Sequence, residues 1–250
     1  MFVALTFGGG SKKYNAAANR FKMQLEALEV FDTINAFNEE KLKKDNNFWN
    51  LHKNFFEKCP RGYGYWIWKP YLIMQQLESM KDEDILFYAD AGCEVDYSKK
   101  EKFIQLKKYF LEKNCNNILS RKQDGYKEEQ YCKMDTFVAL DCNCSSIRKT
   151  PQYQATFLAF KNTKEVRDFV KKWYESCFLE NYHLLDDTPS NLQNAKKFKE
   201  HRHDQSLFSI LYKKTFPLLN NEFNLYDCVF VLRTRNGGSK LNRVYRNKNM

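Results

Sequence analysis

The sequence predicts an α/β fold: a single domain with a mainly parallel twisted sheet flanked by helices. Three observations carry that prediction. Short apolar runs of strand length alternate with longer segments of helical periodicity, the pattern of βα units. The chain has 250 residues, enough for one large α/β domain and short for two ordinary ones. No internal repeat and no linker-like low-complexity run interrupts it.

The elements follow in order. Phe2 to Phe7 reads as a buried first strand, and Gly8, Gly9 and Gly10 as a tight turn after it. Residues 15–30 carry Phe21, Leu25, Leu28 and Val30 near one helical stripe, and 32–37 suits a second strand. The stretch 38–59 is polar and aromatic and reads as two short helices, which Pro60 and Gly62 end. Pro70 suits the first turn of a helix running to Met80, with Leu72, Ile73, Leu77 and Met80 inward. A turn at 81–84 leads into a strand, Ile85 to Ala89. Phe103, Leu106 and Phe110 mark an amphipathic helix over 101–113. Residues 117–120 and 154–160 are strand-like, and 133–140 is short and mixed. Thr163 is the expected cap of a helix over 162–177, with Val166, Phe169, Val170 and Trp173 inward. A loop at 186–191 precedes a helix over 204–213 and a final strand over 226–232. From Arg233 the chain is basic, contains glycine and is poor in apolar residues. The expected organisation is therefore a domain over 1–232 and a mobile basic tail over 233–250.

Composition narrows the partners. Apolar residues make up 43% and aromatics 16%, which supports a sizeable core and argues against disorder. The formal net charge of +10 favours polyanions: nucleotide diphosphates, anionic glycans, acidic lipid surfaces or nucleic acid. Charge alone does not choose among them, and pairs such as Lys107-Lys108 and Lys171-Lys172 read as solvated helix faces. The chain carries eight cysteines, and Met1 to Phe7 runs straight into glycines without the apolar region of a signal peptide. The expectation is free thiols in a reducing, cytoplasmic compartment. Cys142-Asn143-Cys144 lacks a second pair at zinc-ribbon spacing. No apolar run approaches the ~18 residues that span a bilayer, so a soluble chain is expected, with peripheral membrane contact at most.

Three segments carry chemistry. In Asp84 to Val95 a short apolar strand ends on Asp90, followed by small Ala91 and Gly92. A buried strand that delivers a carboxylate to its C-terminal end is a common way to place a metal ligand in an open α/β sheet. Such a carboxylate can hold a divalent cation against the charge that develops on a nucleoside diphosphate leaving group. Glu94 and Asp96 share a strand face with Asp90 and could assist, although each also reads as an ordinary turn acid. The second segment is Arg61 to Pro70. Tyr63, Tyr65, Trp66 and Trp68 can stack on a base or sugar or form a core corner, and Lys69 stands where a cation reaches a phosphate near a helix start. The third is His201 to Gln205. A dinuclear metal signature there needs further histidines, and only His52 and His183 remain. Asp204 and Gln205 instead open a helix, where Asp204 can cap it, face a reaction centre, or both. Gln152 and Gln154, flanking Tyr153, could bond sugar hydroxyls. The contiguous Gly8, Gly9 and Gly10 are not a dinucleotide fingerprint.

Taken together, Gly62 to Pro70, Phe87 to Gly92, Lys133-Met134-Asp135, Gln152 to Ala155 and His201 to Ser206 resemble GT-A nucleotide-sugar glycosyltransferases of bacteria and large DNA viruses. The resemblance runs from Thr6 to about Lys214. More distantly, the order is similar to retaining galactosyltransferases and glycogenin-like enzymes. That likeness implies a GT-A-like domain over 1–232. It sets Thr6, Phe7 and Gly8 against the nucleotide base, and Trp68, Lys69, Asp90, Ala91 and Gly92 around the donor. Gln154 then faces the sugar on an amide-bearing strand, and Asp204 and Gln205 face the reaction centre. Two departures stand out. The second metal aspartate of the family is Gly92 here, and the late histidine-glycine metal loop has no match after Arg233. His203, Glu94 or Asp96 is expected to compensate as a ligand, or Lys69 and the basic tail to carry part of the phosphate charge.

The expected activity is transfer of a sugar from a nucleoside diphosphate donor, UDP-sugar favoured, to a glycan or glycolipid hydroxyl. A manganese or magnesium ion is expected on Asp90 and His203. Two alternatives remain: a non-catalytic sugar-nucleotide or glycan binder, motivated by Gly92, and a basic module for single-stranded nucleic acid. The nucleic-acid alternative is disfavoured, because the aromatics cluster in one motif rather than along repeated strands.

Overall fold

Strand β1 (Phe2–Phe7) is buried along its whole length. A strand apolar on both faces belongs inside a sheet that helices cover on both sides. The computed structural model describes residues 1–112, 115–216 and 223–241. After β1 come α1 (Lys12–Glu26), β2 (Thr33–Phe37), α2 (Glu39–Lys43), α3 (Asn46–Lys58), the irregular turn α4 (Gly62–Tyr65) and α5 (Trp68–Glu78). Then follow β3 (Ile85–Ala89), β4 (Cys93–Glu94), α6 (Lys100–Leu111), β5 (Ile118–Leu119) and β6 (Lys122–Lys127). The short helices α7 (Glu128–Tyr131), α8 (Met134–Ala139) and α9 (Ser145–Arg148) lead to β7 (Pro151–Tyr153) and β8 (Phe157–Lys161). The chain closes with α10 (Lys164–Ser176), α11 (His203–Thr215) and β9 (Phe230–Val231).

The central sheet has five strands in the order β2-β1-β3-β8-β5. β1 runs parallel to β2 and β3, whereas β8 is antiparallel to both β3 and β5. Four strands therefore point one way and β8 the other, so the sheet is mainly parallel. Alternation along the strands feeds the two faces separately. Phe2, Ala4, Phe87 and Phe157 pack with Phe21 and Leu25 of α1 and with Phe103, Leu106 and Phe110 of α6. Val3, Leu5, Leu86, Tyr88 and Leu158 face the other way, onto Leu72 and Ile73 of α5, Trp173 of α10 and Phe208 of α11. Burying each such phenylalanine or leucine contributes about 1.5–3 kcal/mol. Caps set the helix starts: Ser11 accepts from Tyr14 N, Asp45 from Phe48 N, and Thr163 from Val166 N. All eight cysteines are free thiols. Among the described residues, no helix is long and apolar enough to cross a membrane.

Several expectations need correction. The strand expected over 154–160 begins only at Phe157, as β8 of the central sheet, and β7 just before it pairs with β6 in a small separate sheet. The strand expected over 226–232 is a 3-10 turn at Leu225–Cys228 followed by the short β9, which pairs with β4. Strand β6 was not foreseen, because Lys122–Lys127 is polar throughout and has no apolar alternation. Helix α11 begins at His203, so Asp204 lies in its first turn as a buried residue and does not cap it. Thr234, Ser239 and Lys240 are hydrogen-bonded to buried Glu94, and 242–250 lie outside the described residues.

Candidate active site

The site forms at the carboxyl edge of the parallel strands, where open α/β sheets place their ligands. The ends of β1 and β3 meet there, at Phe7–Gly10 and Asp90–Gly92. Because β8 runs backwards, its start reaches the same edge, and Asp90 N donates to Thr156 O at 2.8 Å. The first turns of α5 and α11 bring Lys69 and Asp204 to it. Together with β6 and the chain after β9 they enclose a cleft of about 1010 Å³.

Lys69 is the centre of the floor. It is 3% exposed, and its Nζ donates to Ala155 O at 3.1 Å. The ammonium lies 2.8 Å from Asp204 Oδ2 and 3.4 Å from Asp90 Oδ1. Burial alone would push its pKa down, but the two carboxylates outweigh burial and hold it above the usual lysine value. Burial raises Asp204 to about 6, with Lys69 offsetting part of that rise. At 2.8 Å the Lys69 ammonium and Asp204 Oδ2 form a close, buried ion pair. Asp90 Oδ1 accepts from the Tyr88 hydroxyl at 2.5 Å. Burial, reinforced by Asp90, holds the Tyr88 phenol far above its ordinary pKa, so it stays a donor.

Gln154 is pinned by its backbone: its N donates to Arg121 O at 3.0 Å, and its carbonyl accepts from Ser120 Oγ at 2.6 Å. Its side chain lines the cleft with a buried Nε2 that has no partner. An unpaired buried amide donor costs about 1–3 kcal/mol unless a ligand accepts from it. Gln205 is different. Its Nε2 donates to Gln152 Oε1 at 2.9 Å and Gln123 Oε1 at 3.2 Å, and its Oε1 accepts from Ala155 N at 3.3 Å. That amide is already satisfied and ties α11 to β6 and to the start of β8.

The aromatic wall is strained. Gly62, Tyr63, Gly64, Tyr65 and Trp66 all have left-handed backbone, with φ of 59°, 52°, 74°, 49° and 63°. For the non-glycine members this costs about 1–2 kcal/mol each, a cost usually retained where geometry serves function. The turn sets Tyr63 and Trp66 on the cleft. Trp68 is mostly core: its ring packs on Phe7 at 4.1 Å and its Nε1 donates to Gly62 O. Thr6, expected against the base, is fully buried in β1 and does not line the cleft, whereas Phe7 and Gly8 do.

The side chains around Asp90 do not fit the expected manganese or magnesium site. Asp90 Oδ1 is already engaged by Tyr88 and stands beside the Lys69 ammonium, which repels a second cation. Gly92, where the resemblance implies a second carboxylate, carries none, and a Cβ there would lie 3.3 Å from Arg233 Cα. His203 donates from Nδ1 to Leu185 O at 2.8 Å, and the carboxylate beside its Nε2 is Asp187, at 3.6 Å. His201 uses both ring nitrogens, accepting from Lys133 N and donating to Leu184 O. Glu94 is fully buried among Arg20, Thr234 and Ser239, and Asp96 caps the turn at Tyr97–Lys99. Among the described residues, no three His, Cys, Asp or Glu side chains gather as a ligand set.

The structure adds cleft residues that the sequence did not single out, Arg121, Gln123 and Tyr126 around β6, and places Arg233 and Arg235 of the basic stretch after β9 on the same cleft. The alternation of Arg233 and Arg235 about Thr234 was the one local signal available for the last pair.

No protein-family model matches the chain, and no curated protein matches it. Among solved structures, the chain is similar to mouse xyloside xylosyltransferase 1 in its apo form, at 11% identity and a TM-score of 0.45. The match covers 88% of this chain and 85% of that one. At that distance the likeness supports no functional statement, which rests on the cleft alone.

Proposed function

We propose that this chain is a glycosyltransferase that moves a sugar from a nucleoside diphosphate donor, UDP-sugar favoured, to a hydroxyl of a glycan or glycolipid. The observation that carries this reading is the buried Lys69 ammonium held between Asp204 and Asp90 at the carboxyl edge of the sheet. A fixed charge set in a recessed cleft is the arrangement that stabilises charge developing during group transfer. The anomeric carbon–oxygen bond to the diphosphate breaks, and a bond from the acceptor oxygen forms. The acceptor proton leaves with a base, and the nucleoside diphosphate departs.

The roles divide as follows. Tyr63 and Trp66 offer aromatic faces to the base, with Phe7 and Gly8 at the strand end beneath them. Gln154 Nε2 donates to a sugar hydroxyl, which would satisfy its unpaired donor. Asp204, raised to about 6, has the basicity of a general base near neutral pH. It takes the acceptor proton if the reaction inverts, and faces the oxocarbenium-like centre if it retains. Lys69 pairs with both Asp204 and Asp90, and Gln205 positions the turn that carries Asp204.

The test is release of nucleoside diphosphate from a panel of sugar nucleotides, with and without simple glycoside acceptors. Turnover of one donor by the wild type, reduced at least a hundredfold in Asp204→Asn, supports the reading. Absence of turnover and of donor binding across the panel contradicts it.

A further inference from the structure

The Lys69, Asp90 and Asp204 group carries a formal net negative charge at neutral pH, so it cannot by itself receive a diphosphate. Positive charge must come from elsewhere on the cleft wall, and the chain after β9 supplies it. That segment packs directly on the turn after β3: Thr234 N donates to Gly92 O at 3.0 Å, and Gly92 leaves room for the backbone of Arg233. It is fastened from behind by Glu94, which is fully buried and accepts from Thr234 Oγ1, Ser239 Oγ and Lys240 N. Arg20, 3.6 Å from Glu94, closes the knot by donating to Ala91 O at 2.6 Å, Cys93 O at 3.0 Å and Thr234 O at 3.2 Å. Thr234 therefore points inward, while Arg233 and Arg235 on either side of it are exposed and line the cleft with Asp90, Ala91 and Gly92. Neither arginine makes an ion pair with another described residue. Arg233 also holds a left-handed φ of 51°, a conformation that costs energy in a non-glycine residue.

We propose that Arg233 and Arg235 form a fixed cationic clamp for the donor diphosphate, seated on the turn at Gly92. The inference rests on the transferase reading above and deepens it. Guanidinium groups match phosphate oxygens with paired hydrogen bonds and keep their charge at every working pH. Held by Glu94 and Arg20, the segment presents them without the need to assemble a cation site first.

Calorimetric titration of UDP, inorganic pyrophosphate and uridine into the full chain tests this, each in EDTA and again with manganese. The probes are titrated into wild type, Arg233→Gln/Arg235→Gln and Asp90→Asn. Because both arginine side chains are exposed and unpaired, the double variant should keep the wild-type melting temperature, which is measured alongside. The clamp predicts that UDP and pyrophosphate bind in EDTA within about threefold of their affinity with manganese. It predicts a loss on the order of tenfold or more in the double variant, with uridine binding unchanged. UDP binding that needs manganese, disappears in Asp90→Asn and ignores the arginine substitutions would overturn the clamp while leaving the transferase reading intact. Failure of every nucleoside diphosphate to bind, with or without metal, would overturn both.

Discussion

Lys69 Nζ and Asp204 Oδ2 lie 2.8 Å apart, with both side chains buried at the floor of an otherwise open cleft. They come from the first turns of two different helices, α5 and α11, so the pair joins elements far apart in the chain. Removing one member of such a pair leaves an uncompensated charge, which is more damaging than the net worth of the contact.

Lys69→Met should therefore destabilise the fold by about 3–5 kcal/mol. Asp204 and Asp90 would remain close together without the ammonium between them. Urea unfolding should show a lower midpoint, and the loss should shrink as pH falls through about 6 and Asp204 protonates.

The pH dependence of activity follows from Asp204. Its pKa is raised to about 6, so the protonated form persists up to that pH and the ionised form dominates above it. A step that needs the carboxylate ionised loses activity as pH falls through about 6, tenfold per unit below it. The profile of kcat/KM against pH should rise through that region and then level. Asp204→Asn should lack the rise in whatever activity it retains.

Gly92→Asp places a carboxylate on the turn after β3. The new Cβ would stand 3.3 Å from Arg233 Cα, tight enough to push the segment after β9 outward. The expected cost is about 1–3 kcal/mol of stability. The new carboxylate would also draw on Arg233 and Arg235, so UDP affinity should fall in EDTA.

Glu94→Gln should loosen the chain after β9 while sparing the central sheet. It leaves Arg20 with carbonyl partners but no carboxylate, and weakens three acceptor contacts to 234–240. Amide hydrogen exchange at Thr234 and Lys240 should quicken at least tenfold, with Leu86 and Phe87 in β3 still protected.

What the sequence could reveal follows from how local each signal is. Asp90 was legible because a strand delivers its last side chain to the sheet edge wherever it lies in the sheet. Tyr88, two residues before it, shares its face and bonds it through the hydroxyl, a contact that residue type alone does not show. Lys69 was legible as a cation near a helix start, but its place between two carboxylates depends on α11, more than a hundred residues away. Asp204 at a helix start suggests a cap by residue type. Only the packing of α11 on α10, where Trp173 Nε1 donates to Asp204 O at 2.9 Å, turns it inward. The Arg20 and Glu94 knot leaves no trace in periodicity, since each residue reads alone as an ordinary charged position. His203 likewise depends on packing: Leu185 O takes its Nδ1 proton, which leaves Nε2 as the nitrogen beside Asp187.

The most direct test of the central claim is thermal unfolding of the chain with a panel of nucleoside diphosphates. A ligand at ~100 times its dissociation constant adds roughly 2.7 kcal/mol to stability. The account predicts that one base stands out, and that its shift appears in EDTA and collapses in Arg233→Gln/Arg235→Gln. No shift with any nucleoside diphosphate, with or without a divalent cation, would contradict it.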